Sequence, residues 1–392
     1  MCLGVICAMV PKDYVDLLPD LVAWRRHLHA HPELGYEEFE TQSFILSTLA
    51  AMGLKPRPAG GTGVVVDLGD AGPRILARAD IDALGIQENS DVSYRSANSG
   101  VMHACGHDGH MAMMLGVARM LSGLLPGHGI QARLIFQPAE ERHPGGALKM
   151  IADGVLDGVD RVTGLHLQAS MPSGRIGARR GFQSANSDRF VIRVNGRGGH
   201  ASAPQDTIDP IPVAAQLVTA IQHLVARMVD PLDSAVVTIG AINGGTTFNA
   251  IPSLVELKGT VRTFKSTVRD MVESRLAQLA SEVSRGFGAV GTLEYMRGYP
   301  AVVNTDAEWR IFRQTVEEAA GAGVWLDTEY QMGGEDFAYY VQERPGVFWD
   351  LGAQPPSGAV PHHHERFDFD ESVMPLGVWV MVETILAFAR IV

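Results

Sequence analysis

Cysteine is scarce in this chain. Three occur in 392 residues, Cys2, Cys7 and Cys105, which is no disulfide framework for a protein of this length. A reducing compartment, the cytoplasm, is the simplest expectation. Basic residues are also in short supply: 32 Lys plus Arg face 44 Asp plus Glu, a formal net charge of -12. No Lys/Arg-rich block interrupts that deficit, so no nucleic-acid-gripping face is expected. No apolar run approaches the length of a bilayer span, which argues against an integral membrane protein. The apolar N-terminal decapeptide MCLGVICAMV has no basic residue ahead of it and no clear small-residue cleavage site. It reads as a loosely docked tail, not a signal peptide. A GxGxxG run after the first strand is missing, and GGTG at Gly60 to Gly63 is too weak a substitute, which disfavours a nicotinamide-dependent oxidoreductase. Repeats and low-complexity tracts are absent. What is present is a globular balance of 46% apolar and 19% charged residues, with length for roughly two to three domains.

The apolar spacing predicts a helix over Asp13 to His29, stopped by Pro32, and another over Glu40 to Met52, ended by Gly53. GVVVDLG from Gly63, RILARAD from Arg74 to Asp80, RLIF from Arg133 to Phe136 and RVTGLHL from Arg161 read as strands, and His107 to Leu125 as a helix. Strands alternating with helices imply an α/β sheet with many parallel strands. The middle changes character. RFVIRVNG, a helix over Ile208 to Val229, SAVVTIGAI, LVELKGTVRTF, a helix over Val268 to Phe287 and GTLEYMRG follow in the order β-α-β-β-α-β, the ferredoxin-like split unit. After Tyr299 the α/β pattern resumes, with a helix from Asp306, a strand near VFWDLG and a helix from Glu371. The expected architecture is a large α/β domain built from residues 1–185 and 298–392. It has a mixed, mostly parallel sheet flanked by helices. A smaller α+β domain is inserted over 186–297, leaving two crossings as a hinge.

Fourteen histidines are present and they cluster: His27, His29 and His31; His103, His107 and His110 around Cys105; His362, His363 and His364. Imidazole, thiolate and carboxylate together suit zinc or a similar borderline metal. In MHACGHDGH, Cys105 and His107 are two apart and in an extended segment face the same way. They sit at the start of a helix whose positive end would favour a thiolate. The other reading of that run is a buried Cys in a glycine turn with solvated histidines. In QPAEE, the adjacent Glu140 and Glu141 follow a buried strand, where one can bind metal while its neighbour handles protons. His166 ends another strand and, alone, would be a core histidine. Asp80, Glu140, Glu141 and His166 all fall at carboxyl ends of strands, and Cys105 and His107 precede a helix. That is the edge where open α/β sheets bind ligands.

The motifs HLHAHPELGYEE, RADIDAL, MHACGHDGH, QPAEE, GLHL, GRGGHAS, FNAIP, GTVRTF, GGEDFA and FDFDE, in this order over nearly the whole chain, resemble the M20 metallopeptidase/amidohydrolase family. The resemblance is to its branch of aminoacylases, hippurate hydrolases and indole-acetyl-amino-acid hydrolases. It implies two divalent metal ions per subunit (Zn, Mn, Co or Ni), held by Cys105, His107, Glu141, His166 and a C-terminal histidine. The family spacing points to His363, although the HHH triplet and Glu365, where a proline is common, leave a one-residue ambiguity. Cys105 would bridge. Glu140 would be the general base and acid. Where related branches carry a ligating His this chain has Arg78, and Asp80 becomes a group that orients an imidazole. The inserted domain would supply His200 to polarise the carbonyl, often in a neighbouring subunit's site, with Asn249 and Arg262 to hold a substrate carboxylate. Glu335 would organise the metal site or the product amine. The implied reaction is hydrolysis of N-acyl amino acids (acetyl, benzoyl or indole-acetyl type) by a homodimer or homotetramer acting on a small molecule, with no nucleic-acid or membrane partner. A dipeptidase with the same centre is the near rival, and a non-catalytic metal- or ligand-binding protein the distant one.

Overall fold

The structure is a computed structural model that describes Met9 to Ile391. Most of the N-terminal decapeptide, with Cys2 and Cys7, lies outside the described residues. The chain divides into two compact units. One comprises residues 1–183, 302–330 and 336–392, the other 184–301 and 331–335.

The first unit is built on a seven-stranded sheet whose order is 57–59, 63–68, 131–137, 74–80, 161–168, 346–352 and 176–177. Its four central strands, Gln131–Gln137, Arg74–Asp80, Arg161–Gln168 and Gly346–Gly352, run parallel, while antiparallel strands flank them on both sides. The central strands are buried along almost their whole length, as expected of parallel strands covered on both faces. From Arg74–Asp80 the chain crosses first to one neighbour, 131–137, and then to the other, 161–168. The crevice of such a topological switch lies beyond the strands' carboxyl ends.

Helices close the layers. His107–Leu124 is buried on every side from His107 to Ala118, and glycine makes room for its neighbours. A Cβ on Gly116 would stand 2.9 Å from both Leu21 and Val378. Where one helix was expected over Asp13 to His29, the chain makes Lys12–Val15 and then Leu18–Ala30, with Pro19 in the second helix's first turn, a position where its missing N–H costs nothing. The expectation that no stretch is long enough to span a bilayer fails at the C-terminus. Glu371–Ala389 is long and apolar enough, with mean hydropathy 1.7, and 78% of it is buried. It packs on His107–Leu124, Asp306–Ala320 and Arg74–Asp80, and a helix that is apolar all round is a core helix when every face is covered.

The second unit has a four-stranded antiparallel sheet in the order 235–244, 254–263, 186–195 and 290–296. In chain order these are its second, third, first and fourth strands, the ferredoxin-like arrangement. Asn186–Asn195 alternates in burial, the period-two pattern of a one-sided sheet. Phe190, Ile192 and Val194 meet Val213, Leu217 and Ile221 of Pro210–Met228 and Val272 and Leu276 of Ser266–Gly286. The segment Gln331–Glu335, expected with the large domain, groups with this unit. Ala185 N donates to Gly333 O at 3.3 Å and Arg262 Nε to Met332 O at 3.1 Å.

Candidate metal centre

Cys105, His107, Glu141, His166 and the C-terminal histidines come together at the carboxyl end of the first unit's sheet. Gly106, with φ of 91°, turns the chain between Cys105 and His107 in a conformation glycine adopts without strain. Cys105 Sγ lies 3.5 Å from His166 Nε2 and 3.6 Å from His362 Nδ1. The same thiol forms a second trio with His107 and Glu141, and in each trio one ligand atom per residue lies within 4.8 Å of the others. One sulfur is therefore common to two donor sets. Of the C-terminal histidines, His362 joins Cys105 and His166, whereas His363 Nε2 sits 2.9 Å from Glu141 Oε1. His364 Nδ1 accepts from the Arg366 amide. The turn has His363 at φ +64°, and the two consecutive imidazoles reach different partners.

A third trio, Asp80, His107 and His110, is as closely set, yet His110 has nothing left to give. Its Nδ1 donates to Asp80 Oδ1 at 2.6 Å and its Nε2 accepts from Leu167 N at 2.9 Å. His107 differs. Its Nδ1 donates to the Asp82 carbonyl at 2.9 Å, and its buried Nε2 has no hydrogen-bond partner. A ring held through one nitrogen by a carbonyl and bare at the other is the usual posture of a histidine ligand. The donors thus fit divalent ions by type and by this orphaned atom.

The electrostatics point the same way. Burial, with Glu141, Glu140 and Asp80 beside it, pushes the Cys105 thiol well up. Burial alone would lower His107, but Asp80, Asp82 and Glu141 raise it to about 10. Such an acidic pocket calls for positive charge, which a bound cation supplies while displacing the protons. Burial and the neighbouring imidazoles hold His166 well below its ordinary value and push His362 down to about 4, leaving both neutral and able to ligate.

Asp80 reaches two imidazoles, His110 at 2.6 Å and His107 Nε2 at 3.7 Å. Burial would raise its carboxyl, but His107, Arg78 and His110 hold it well below the usual range. Arg78 is fully buried and bonds Asp80 at 2.6 Å, Asp336 at 2.8 Å and Gln137 at 3.1 Å. Glu140 is buried, with a carboxylate oxygen within 4.8 Å of one on Asp336. Burial lifts Asp336 to about 6 despite the Arg78 guanidinium.

His200, Asn249, Arg262 and Glu335 lie in the second unit. His200 and Ala250 pair across a two-stranded ribbon, and the Ala201 amide donates to Asn249 O at 3.1 Å. Both His200 and Asn249 are exposed. Arg262 is half-buried, with Nη1 on Thr260 Oγ1 and the Val261 carbonyl, and among the described residues no ion pair joins it to a carboxylate. Glu335 is buried at the end of the 331–335 segment. Four site residues escape a reading by motif alone: Asp82, His110, His362 and Asp336. Asp82 had a signal, the second acid two residues beyond Asp80. Asp336 had one in its place beside Glu335.

Residues 76–387 match the model of Peptidase family M20/M25/M40. The chain is 44% identical over 299 residues to an N-acyl-L-amino acid amidohydrolase of Geobacillus stearothermophilus, covering 75% of this chain and 81% of that protein. It is 40% identical over 377 residues to an N-acetyl-L-cysteine deacetylase of Bacillus subtilis, covering 95% and 89%. Among solved structures, the Bacillus subtilis YXEP protein, described as a dinuclear metal binding peptidase from the M20 family, superposes with a TM-score of 0.84 at 33% identity. That match covers 96% of this chain and 99% of the other.

Proposed function

This chain belongs to peptidase family M20/M25/M40 and is a metal-dependent amidohydrolase with two divalent ions, and on that premise we propose that it hydrolyses N-acyl amino acids to a carboxylic acid and an amino acid. The observation that carries the site is the Cys105 thiol shared by two donor trios. Cys105, His107, Glu141, His166 and the His362–His363 pair would hold the ions. When bound, such ions bring the pKa of a water toward neutrality and polarise a carbonyl. The mixture of sulfur, imidazole and carboxylate suits zinc, manganese, cobalt or nickel.

The chain's own residues supply the rest. Glu140 takes a proton from the attacking water at its carboxylate and delivers it to the departing amide nitrogen. It belongs to neither of the two trios that share Cys105, and a ligating carboxylate would be a poorer base. Asp80 and the Asp82 carbonyl hold His110 and His107 in orientation. Arg262, in no ion pair among the described residues, is the group to receive the substrate carboxylate, with Asn249 beside it in role. His200 would polarise the acyl carbonyl, and Glu335 would organise the product amine. A homodimer or homotetramer in the cytoplasm completes the proposal.

The test is a hydrolysis screen of N-acetyl and N-benzoyl amino acids against dipeptides, after chelation and reloading with Mn, Zn, Co or Ni. Turnover of the N-acyl series and not of dipeptides is expected. The reverse would make the protein a dipeptidase. In the same assay Glu140→Gln should lose roughly 10²–10⁴-fold in kcat while elemental analysis still finds two ions. Substantial residual turnover would remove Glu140 from its role.

A further inference from the structure

The loop carrying Glu140 and Glu141 holds a backbone shape its residues do not favour. Ala139, just ahead of the pair, has φ of +51°, the left-handed region where a Cβ crowds the following carbonyl. Its amide donates to Glu38 Oε1 at 2.8 Å. Glu38 is fully buried, and its other oxygen accepts from the Thr62 hydroxyl. The surrounding segment lies close against the same loop. A Cβ on Gly35 would stand 3.0 Å from Ala139 Cα, and the Tyr36 hydroxyl donates to Gly145 O at 2.9 Å. On the other side of Glu140, the Glu141 amide donates to Asp82 Oδ2 at 2.9 Å. Each amide flanking Glu140 is thus gripped by a buried carboxylate, one of them from a segment about a hundred residues away that belongs to no donor trio.

A carboxylate is an expensive group to bury for the sake of one amide and one hydroxyl, and its effect here is local: it compensates the strained conformation of Ala139. We infer that Glu38 is a positioning residue that locks Ala139 left-handed and so aims the Glu140 carboxylate for proton transfer. This rests on the reading of Glu140 as the proton carrier. Displacing a proton-transfer group by about 1 Å lowers turnover by about 10²-fold without an equal effect on binding.

The experiment is a double-mutant cycle between Glu38 and Ala139 on the full chain loaded with metal. Glu38→Leu keeps bulk and removes the acceptor. It should lower kcat about 100-fold in the parent, with KM within about threefold. In the Ala139→Gly background the same change should cost about tenfold or less, because glycine takes the left-handed conformation without steric penalty. Hydrogen exchange on the metal-free protein without substrate should show lost protection over residues 136–146 in Glu38→Leu. Equal kcat losses in both backgrounds, or unchanged exchange, would overturn the assignment. If Glu38→Leu does not fold, Glu38→Gln serves. Its weaker acceptor should lower kcat about three- to fivefold in the parent but not in the glycine background, and identical ratios overturn the idea. A parent chain that hydrolyses no N-acyl amino acid would instead defeat the functional reading, leaving hydrogen exchange to decide the role of Glu38.

Discussion

Replacing Arg78 by methionine isolates the energetic core of the site. The guanidinium has no exposed surface and stands 2.6 Å from Asp80 and 2.8 Å from Asp336, with Gln137 at 3.1 Å. Methionine fills the channel of the aliphatic stem without a charge. Asp336 then remains buried without its cation, and Asp80 keeps only its contacts with His107 and His110. Breaking a buried pair from one side costs about 3–5 kcal/mol. At about 2–4 °C per kcal/mol for a folded body of this size, Tm should fall by roughly 6–20 °C. Denaturant midpoints of the metal-free protein give the same quantity at one temperature. The sign with pH is fixed. The unpaired buried Asp336 carboxylate has a folded pKa above its unfolded one, so its share of the deficit is greatest near pH 7 and shrinks as pH falls toward 5. Adding Asp336→Asn should recover about half the loss, since it removes the carboxylate left without a cation. The reasoning is refuted if Arg78→Met lies within about 1 kcal/mol of the parent, well under the cost of a broken buried pair, or if the second substitution restores nothing.

Cys105→Ser should abolish binding of at least one ion, because the thiol is the donor common to both trios; two ions per chain by elemental analysis would exclude a bridging role. Metal affinity should rise steeply with pH. Cys105 and His107 both have raised values, His107 to about 10, so both carry protons near neutrality and release them on binding. The expected slope is about two log units of affinity per pH unit between pH 6 and 8. Titration calorimetry in buffers of different ionisation enthalpy counts those protons, and release of none would contradict the assignment.

Much of this site was visible in the chain because buried parallel strands read as apolar runs and the reactive groups sit where those runs stop. Asp80 closes Arg74–Asp80, Glu140 and Glu141 come just past Gln131–Gln137, and His166 lies near the end of Arg161–Gln168. Other parts depend on partners that no local pattern encodes. Arg78 and Asp336 meet across 258 positions. The grouping of Gln331–Glu335 with the second unit rests on backbone bonds to Ala185 and the Arg262 side chain. The sorting of His362 from His363 is made by a single left-handed residue within the triplet, which spacing to Phe367 does not register. Arg57–Ala59, Ala147–Ala152 and Ala338–Glu343 are too short to establish any periodicity. The C-terminal helix hides its nature by being apolar on every side, which leaves no polar stripe to mark an orientation.

That last helix also bears on how the molecule is made. Met374–Ala389 packs on Arg74–Asp80 and leans on His107–Leu124, yet a ribosome emits it long after both. Throughout elongation the surfaces it will cover stay open to water, a state prone to sticking and suited to chaperone custody. A stop codon just ahead of Met374 would leave every ligating residue translated and still forfeit the enzyme.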